Sequence, residues 1–362
     1  MSDAAAHLEN RDEAEVRAAL RTRRKGPREL ALLLSPGADP ILEELADEAR
    51  RATLRHFGRT VQLYAPLYVS NRCVGRCPYC GFRGDQRIAR VSLSEAEAIE
   101  EARALSKLGI RHVLLVAGDA PRDVDPGYLA RVARALKDGA FDSVSVEVAP
   151  LDGAGYRALA EGGAVDGVTL YQETYDRERY RALHEGGPKA GYDDRLEALD
   201  RAGAAGVRAR TAGALWGLAP WREEALALGL HAAALGRRWW RSRVQIGVPR
   251  LKNVPAGFEI PYPVDDRALA HVVAALRLFL EEYGIALSTR EPAALREALL
   301  PLGVTQMSAG SRTRPGAYTL GDAGGEQFHV VDERAPAEVA ASLRALGYDP
   351  VWKDWDRGFD AP

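Results

Sequence analysis

The sequence predicts a closed (β/α)8 barrel of the TIM type. After residue 60, eight short runs rich in β-branched and aliphatic residues alternate with longer amphipathic segments. Runs such as HVLLVAG are continuously apolar, the pattern of strands buried on both faces of a parallel sheet. Polar residues follow nearly every run, where a barrel gathers its functional groups at the C-terminal mouth.

Residues 1–60 read as an N-terminal helical extension, in which SPGADP makes a turn into the amphipathic stretch DPILEELADEARRATLRHFG. Strands are expected at 67–70, 112–117, 143–148, 167–171, 207–212, 244–248, 285–289 and 305–308. Between them, SLSEAEAIEEARALSKLG opens with Ser94 and Glu97 at capping-box spacing and stops at Gly109. YDDRLEALDRAGAAG and VDDRALAHVVAALRLFLEEYG follow the same grammar. The barrel is expected over 61–314. A C-terminal cap and tail fill 315–362, where the helix APAEVAASLRALG leads into PVWKDWDRGFD. An open six-stranded barrel with added elements is the alternative, because runs this short leave their boundaries loose.

With 362 residues and 46% hydrophobic content the chain can bury a large core. A net charge of −2 gives no pull toward nucleic acid or an anionic membrane. Only six of the 49 basic residues are lysine, so a single arginine is a weak functional clue. The start, MSDAAAHLENRDEAE, lacks the apolar core of a secretion signal, and no run approaches the ~18 apolar residues of a membrane span. All three cysteines cluster, which rules out a disulfide framework and suggests a reducing, cytoplasmic setting.

Those cysteines, Cys73, Cys77 and Cys80, lie in NRCVGRCPYC just after the first strand. Thiolates suit zinc or iron–sulfur clusters. Structural zinc wants four closed ligands, and only one C-x-x-C is present. Three thiols instead hold three corners of a four-iron cluster and leave one iron open to a ligand. Inert or zinc-binding cysteines are the competing reading.

The C-x-x-x-C-x-x-C spacing, with Tyr79 before the last cysteine, resembles the radical S-adenosylmethionine (SAM) superfamily. The resemblance implies a [4Fe-4S] cluster whose open iron binds the amino and carboxylate groups of SAM. The reduced cluster then cleaves the sulfonium to release a 5′-deoxyadenosyl radical. AGD, carrying Gly118 and Asp119, stands where the superfamily's GGE segment meets the SAM amino group, with an acid one methylene shorter than the usual glutamate.

APLYVSNRCVGRCPYCGF, VLLVAGD, VEVAPL, VTLYQETYD, HEGGPKAGYDDRLEALDRAG, VPRLK, LSTRE, MSAGSRTRPGAY and PVWKDWD occur in that order. Together they resemble the aromatic-amino-acid lyase group, and are most similar to the 2-iminoacetate synthase family, the tyrosine lyases of thiamine thiazole biosynthesis. The resemblance covers about residues 60–356. It implies hydrogen abstraction from the tyrosine amino group and Cα–Cβ cleavage to 2-iminoacetate (dehydroglycine) and 4-cresol. YQETYD and the WKDWD tail favour tyrosine over the tryptophan-lyase branch. A related hydrogenase-maturation tyrosine lyase adds a C-terminal domain with a second cluster. No cysteine follows Cys80 here, so no second site is expected.

Arg290 in LSTRE matches the family's carboxylate-binding position and suits bidentate capture; a salt bridge with Glu291 is the structural alternative. Ser308 is expected at the amino or carboxylate group. Tyr68 is expected near the substrate's aromatic ring or the reacting centre, with core packing as the alternative. Glu147 ends strand three and is assigned with Gln172 and Glu173 to cofactor binding, the last two at the SAM ribose or in ordering the strand-four loop. Arg250 is expected at the SAM carboxylate or the substrate loop, with a structural support as the alternative. Arg72, Arg76, Arg83, Arg87 and Arg90 surround the cysteine loop and suggest docking of an acidic flavodoxin or ferredoxin. Thiazole synthase is the expected receiver of the imine. A non-catalytic zinc- or cluster-binding scaffold is the remaining alternative.

Overall fold

The computed structural model describes residues 2–321 and 324–353. Eight parallel strands close into a barrel: β1 (Thr60–Ser70), β2 (His112–Ala117), β3 (Ser143–Glu147), β4 (Gly167–Glu173), β5 (Ala209–Ala214), β6 (Arg243–Gly247), β7 (Gly284–Leu287) and β8 (Gln306–Ser308). Each pairs with its sequence neighbour, and β1 pairs with both β8 and β2, so the eight strands have no free edge. All eight expected strands are present, which excludes the open six-stranded alternative.

Two features differ from the expectation. β1 starts at Thr60 rather than 67, and its first half, TVQLYAP, pairs with β8 through Gln62–Tyr64. A ninth strand, β9 (Asp349–Val351), lies along the opposite edge of β1 at Thr60–Gln62. The C-terminal segment is therefore tied into the sheet itself. The tail from residue 354, including most of WKDWD, lies outside the described residues.

Helices sheath the barrel for the reasons legible in the sequence. Ser94 caps Glu95–Lys107 with the anticipated reciprocal Glu97 bond, and aspartates cap Pro126–Asp138, Gly153–Ala160 and Asp266–Phe279. The helix between β7 and β8, Ala293–Ala298, spans only six residues. The N-terminal extension supplies further cover: Pro27–Leu34 and Leu42–Phe57 both pack against Asp266–Phe279. His271 Nε2 bonds the Leu33 carbonyl at 2.7 Å, and Arg222 pairs with Asp39 at 2.8 Å. Among the described residues, no helix is long and apolar enough to cross a membrane.

Inside the barrel a polar layer links Thr211, Gln245, Gln306, His112 and Ser145 through bonds of 3.1–3.5 Å. Satisfied in this way, the buried amides and imidazole avoid the cost of unpaired polar groups. Above this layer the barrel opens into a cavity at its C-terminal mouth.

Candidate active site

Every barrel strand, or the loop just beyond it, contributes to the wall of that cavity. The cysteine loop forms one rim. Asn71 pins it through bonds to Ala89 O and Val91 N (2.8 and 2.7 Å). Arg90 donates to the carbonyls of Asn71, Phe82, Arg83 and Gln86. This arginine is thus a staple of the loop, and Arg83 is paired with Asp85 at 2.6 Å. Arg72, Arg76 and Arg87 are exposed, beside an exposed Val74.

Cys73 Sγ accepts from Gly75 N at 3.3 Å and Cys80 Sγ from Phe82 N at 3.4 Å. A Cβ on Gly75 would lie 3.4 Å from Cys73 Sγ and 3.8 Å from Cys77 Sγ, so the missing side chain leaves room between those two sulfurs. Among the described residues, no three His, Cys, Asp or Glu side chains converge as a single metal ion requires. Three thiols on one loop supply three of a cluster's four corners and stand one ligand short of a closed zinc tetrahedron. Burial pushes the Cys80 thiol up to about 12, helped by Cys77 and opposed by Lys189, so loading the site must displace protons.

Gly118 crosses directly beneath this loop. A Cβ there would lie 3.0 Å from Cys73 Cβ and closer still to the Arg72 carbonyl oxygen. The next residue, Asp119, accepts from Val74 N through its backbone carbonyl, at 3.0 Å. Its buried Oδ2 has no partner. An orphaned carboxylate oxygen beside the thiols is a costly arrangement unless a cation arrives, and the SAM amino group is such a cation.

Tyr79 is buried, and its phenol donates to His184 Nε2 at 2.6 Å, while His184 Nδ1 bonds Tyr180 O. Burial and Lys189 hold His184 down at about 3, so the ring is neutral and its Nε2 accepts. At the end of β4, Glu173 adopts φ 70, rare for a residue with a Cβ, at a register shift in the β4–β5 pairing. Such a conformation costs about 1–3 kcal/mol. Lys189 at 2.7 Å and Arg195 at 3.3 Å flank its carboxylate. Burial opposes its ionisation, yet the two cations prevail and hold it below the usual range. Lys189, Arg195 and His184 went unnamed in the sequence reading, although HEGGPKAGYDDR contains all three.

On the far side, Arg290 follows β7 with its guanidinium 3.5 Å above the Phe328 ring. Among the described residues no carboxylate lies within ion-pair distance of it. Glu291, the alternative partner, is held by Arg250 and Lys252 at 2.5 and 2.9 Å. Near Arg290, Thr289 Oγ1 and Ser311 Oγ line the cavity, buried and without partners. Ser308 Oγ accepts from Thr289 N at 3.2 Å. Tyr68 lines the wall, donating to Gln327 Oε1 at 2.6 Å, and Glu147 lines it from β3.

Two assigned residues stand elsewhere. Gln172 points to the helix side, where its Nε2 donates to Tyr192 O at 3.3 Å. Arg250 spends its donors on Glu291, Asp266 and Val264 O. Neither is among the residues that line the cavity. Glu147, expected at the cofactor, lies in register with Val116 and lines the open cavity.

A closed parallel barrel whose first strand ends in three free thiols defines the radical SAM class of enzyme, and the model of the radical SAM superfamily matches residues 67–226. A second model, the biotin and thiamin synthesis associated domain, matches residues 247–349. The chain is 39% identical over 344 residues to 2-iminoacetate synthase of Escherichia coli K12, covering 95% of this chain and 91% of that one. The counterpart from Salmonella typhimurium is 38% identical over the same shares. The chain therefore belongs to the 2-iminoacetate synthase family. Among solved structures, it resembles HydG, a maturase of the [FeFe]-hydrogenase (TM-score 0.89, 32% identity, 97% of this chain and 79% of that one). HydG from Carboxydothermus hydrogenoformans gives 0.86 at 35% identity, covering 94% and 78%. The cofactors of the class are a [4Fe-4S] cluster and SAM, and the donor set described above fits both.

Proposed function

We propose that the protein is a tyrosine lyase, splitting the Cα–Cβ bond of L-tyrosine to 2-iminoacetate and 4-cresol for thiamine thiazole synthesis. The observation that carries this reading is the 39% identity to 2-iminoacetate synthase along 95% of the chain. Arg290, free of any carboxylate among the described residues at the mouth of a largely apolar cavity, supports an amino-acid substrate.

Bound at Cys73, Cys77 and Cys80, the cluster together with SAM would supply a 5′-deoxyadenosyl radical that takes a hydrogen from the substrate amino group. The side chains do the rest. Asp119 offers its unpartnered oxygen to the SAM amino group, and the Glu173–Lys189–Arg195 group fixes the adjoining wall. Arg290, its guanidinium set over the Phe328 ring, grips the substrate carboxylate with two parallel N–H donors. Thr289, Ser308 and Ser311 offer hydroxyls beside it. Held at both groups of the amino-acid end, the substrate has little freedom to turn its amino group from the radical. Tyr68, Leu114 and Val116 keep water from the fragments.

Electrons enter, in this reading, over the exposed Arg72, Arg76 and Arg87 around Val74, a surface suited to an acidic flavodoxin or ferredoxin. The imine hydrolyses in water, which favours direct transfer to thiazole synthase in the cytoplasm.

An anaerobic incubation of cluster-replete protein with tyrosine, SAM and a strong reductant tests the reading. Matched 4-cresol and 5′-deoxyadenosine are expected. Absence of both refutes the lyase, and 3-methylindole-type products from tryptophan would redirect it to the tryptophan branch.

A further inference from the structure

Tyr171 lays its ring across β5 and β6: a Cβ on Gly247 would meet Cε1 at 2.5 Å and the phenol oxygen at 2.6 Å, and one on Gly213 would meet Cε1 at 2.7 Å. The glycines make space for that ring. Arg290 and Ser308 line the cavity at β7 and β8, and Tyr68, Leu114, Val116 and Glu147 line it at β1, β2 and β3.

Glu147 stands on β3, four strands from β7 in the closed order and so opposite the strand that leads to Arg290. No hydrogen bond from a protein group to its carboxyl is seen among the described residues, and the half-buried side chain lines the open cavity. A cation after β7, apolar Leu114 and Val116 on β2 and a carboxyl on β3 with no hydrogen-bond partner match the layout of tyrosine. With the substrate carboxylate on Arg290, the end of the substrate directed at the opposite strand is its phenol.

We propose that Glu147 accepts the hydrogen bond of the substrate's phenolic hydroxyl and is the residue by which this site selects tyrosine over phenylalanine. The inference rests on the tyrosine reading above. Burial, reinforced by Glu173 and eased by Arg290, lifts the Glu147 carboxyl to about 7, a state in which a phenol that stays protonated is a natural partner. A polar site built for a hydroxyl discriminates sharply against the analogue lacking it, because the site group is then left unpaired.

Calorimetric binding to holoenzyme with SAM, without reductant, reads this directly, since no turnover occurs. Wild-type protein should bind tyrosine at least about tenfold more tightly than phenylalanine. Glu147→Leu should lower tyrosine affinity roughly 10–100-fold while leaving phenylalanine unchanged or tighter. Glu147→Gln, nearly isosteric, should give an intermediate loss, and carries the same comparison if the leucine variant fails to hold its cluster. Equal weakening of both amino acids, or unchanged preference in both variants, overturns the role of Glu147. A wild-type enzyme without preference for tyrosine overturns the tyrosine reading itself, and the inference with it.

Discussion

Gly118→Ala should cost the protein its cluster rather than its fold. The added methyl would sit 3.0 Å from Cys73 Cβ, against a comfortable carbon–carbon separation of about 3.5–4.0 Å. It would also run into the Arg72 carbonyl oxygen. Both obstacles are main-chain atoms or fixed to them, so no rotamer relieves the clash. The loop must retreat by something near an ångström, at an overpacking cost of about 1–3 kcal/mol. A barrel of this size tolerates that, but a thiolate displaced by about 1 Å from its working position does not, with losses near 10²-fold typical of misplaced catalytic groups. Iron and sulfide per chain after anaerobic reconstitution, followed by the rate of 5′-deoxyadenosine release, give the assay. Gly139→Ala, where the new Cβ would meet nothing closer than 3.4 Å, is the control. Full cluster content and wild-type SAM cleavage in Gly118→Ala would refute the steric argument.

Arg290→Lys should raise KM for tyrosine roughly 10–100-fold through loss of the bidentate grip, and release more 5′-deoxyadenosine per 4-cresol. An unchanged KM would remove Arg290 from the substrate site. Lys189→Met leaves Glu173 facing Arg195 alone and should destabilise the holoenzyme by about 3 kcal/mol. Lys189→Met combined with Glu173→Gln should regain much of that loss, and a double variant no better than the single one would dissolve the pair. The folded Glu147 carboxyl, at about 7, lies above its ordinary 4.5. Between those values the unfolded chain holds fewer protons than the folded one, so stability falls as pH rises through the window, by an amount on the order of 3 kcal/mol. Glu147→Gln lacks this fall. Its thermal midpoint relative to wild type should therefore climb from pH 5 to pH 8, and a constant difference would contradict the burial assigned to the carboxyl.

The barrel was legible because its strands are buried on both faces: HVLLVA became β2 without adjustment. The first half of β1 was not, because Gln62 and Pro66 interrupt the apolar run and proline argues against a central strand. β9 escaped for the same reason, being three residues with Pro350 at its centre. In the site, residues next to strand ends were found and those further along were not. Lys189 comes from a short turn sixteen residues beyond Glu173, where only the closed fold brings the two together. Tyr171 and Glu173 line the cavity while Gln172 between them bonds Tyr192 on the helix side, a split that strand alternation anticipates. Arg250 follows a strand just as Arg290 does. What separates them is Glu291, and that pairing crosses from one strand's loop to the next.

Turnover of unlabelled tyrosine in deuterated water bears most directly on the central claim, that this barrel aims a SAM-derived radical at the substrate amino group and breaks Cα–Cβ. The account predicts deuterium in the methyl group of 5′-deoxyadenosine, taken from the exchanged amino group, with 4-cresol formed in step. Unlabelled 5′-deoxyadenosine, with deuterium arriving only from tyrosine labelled at carbon, would contradict it.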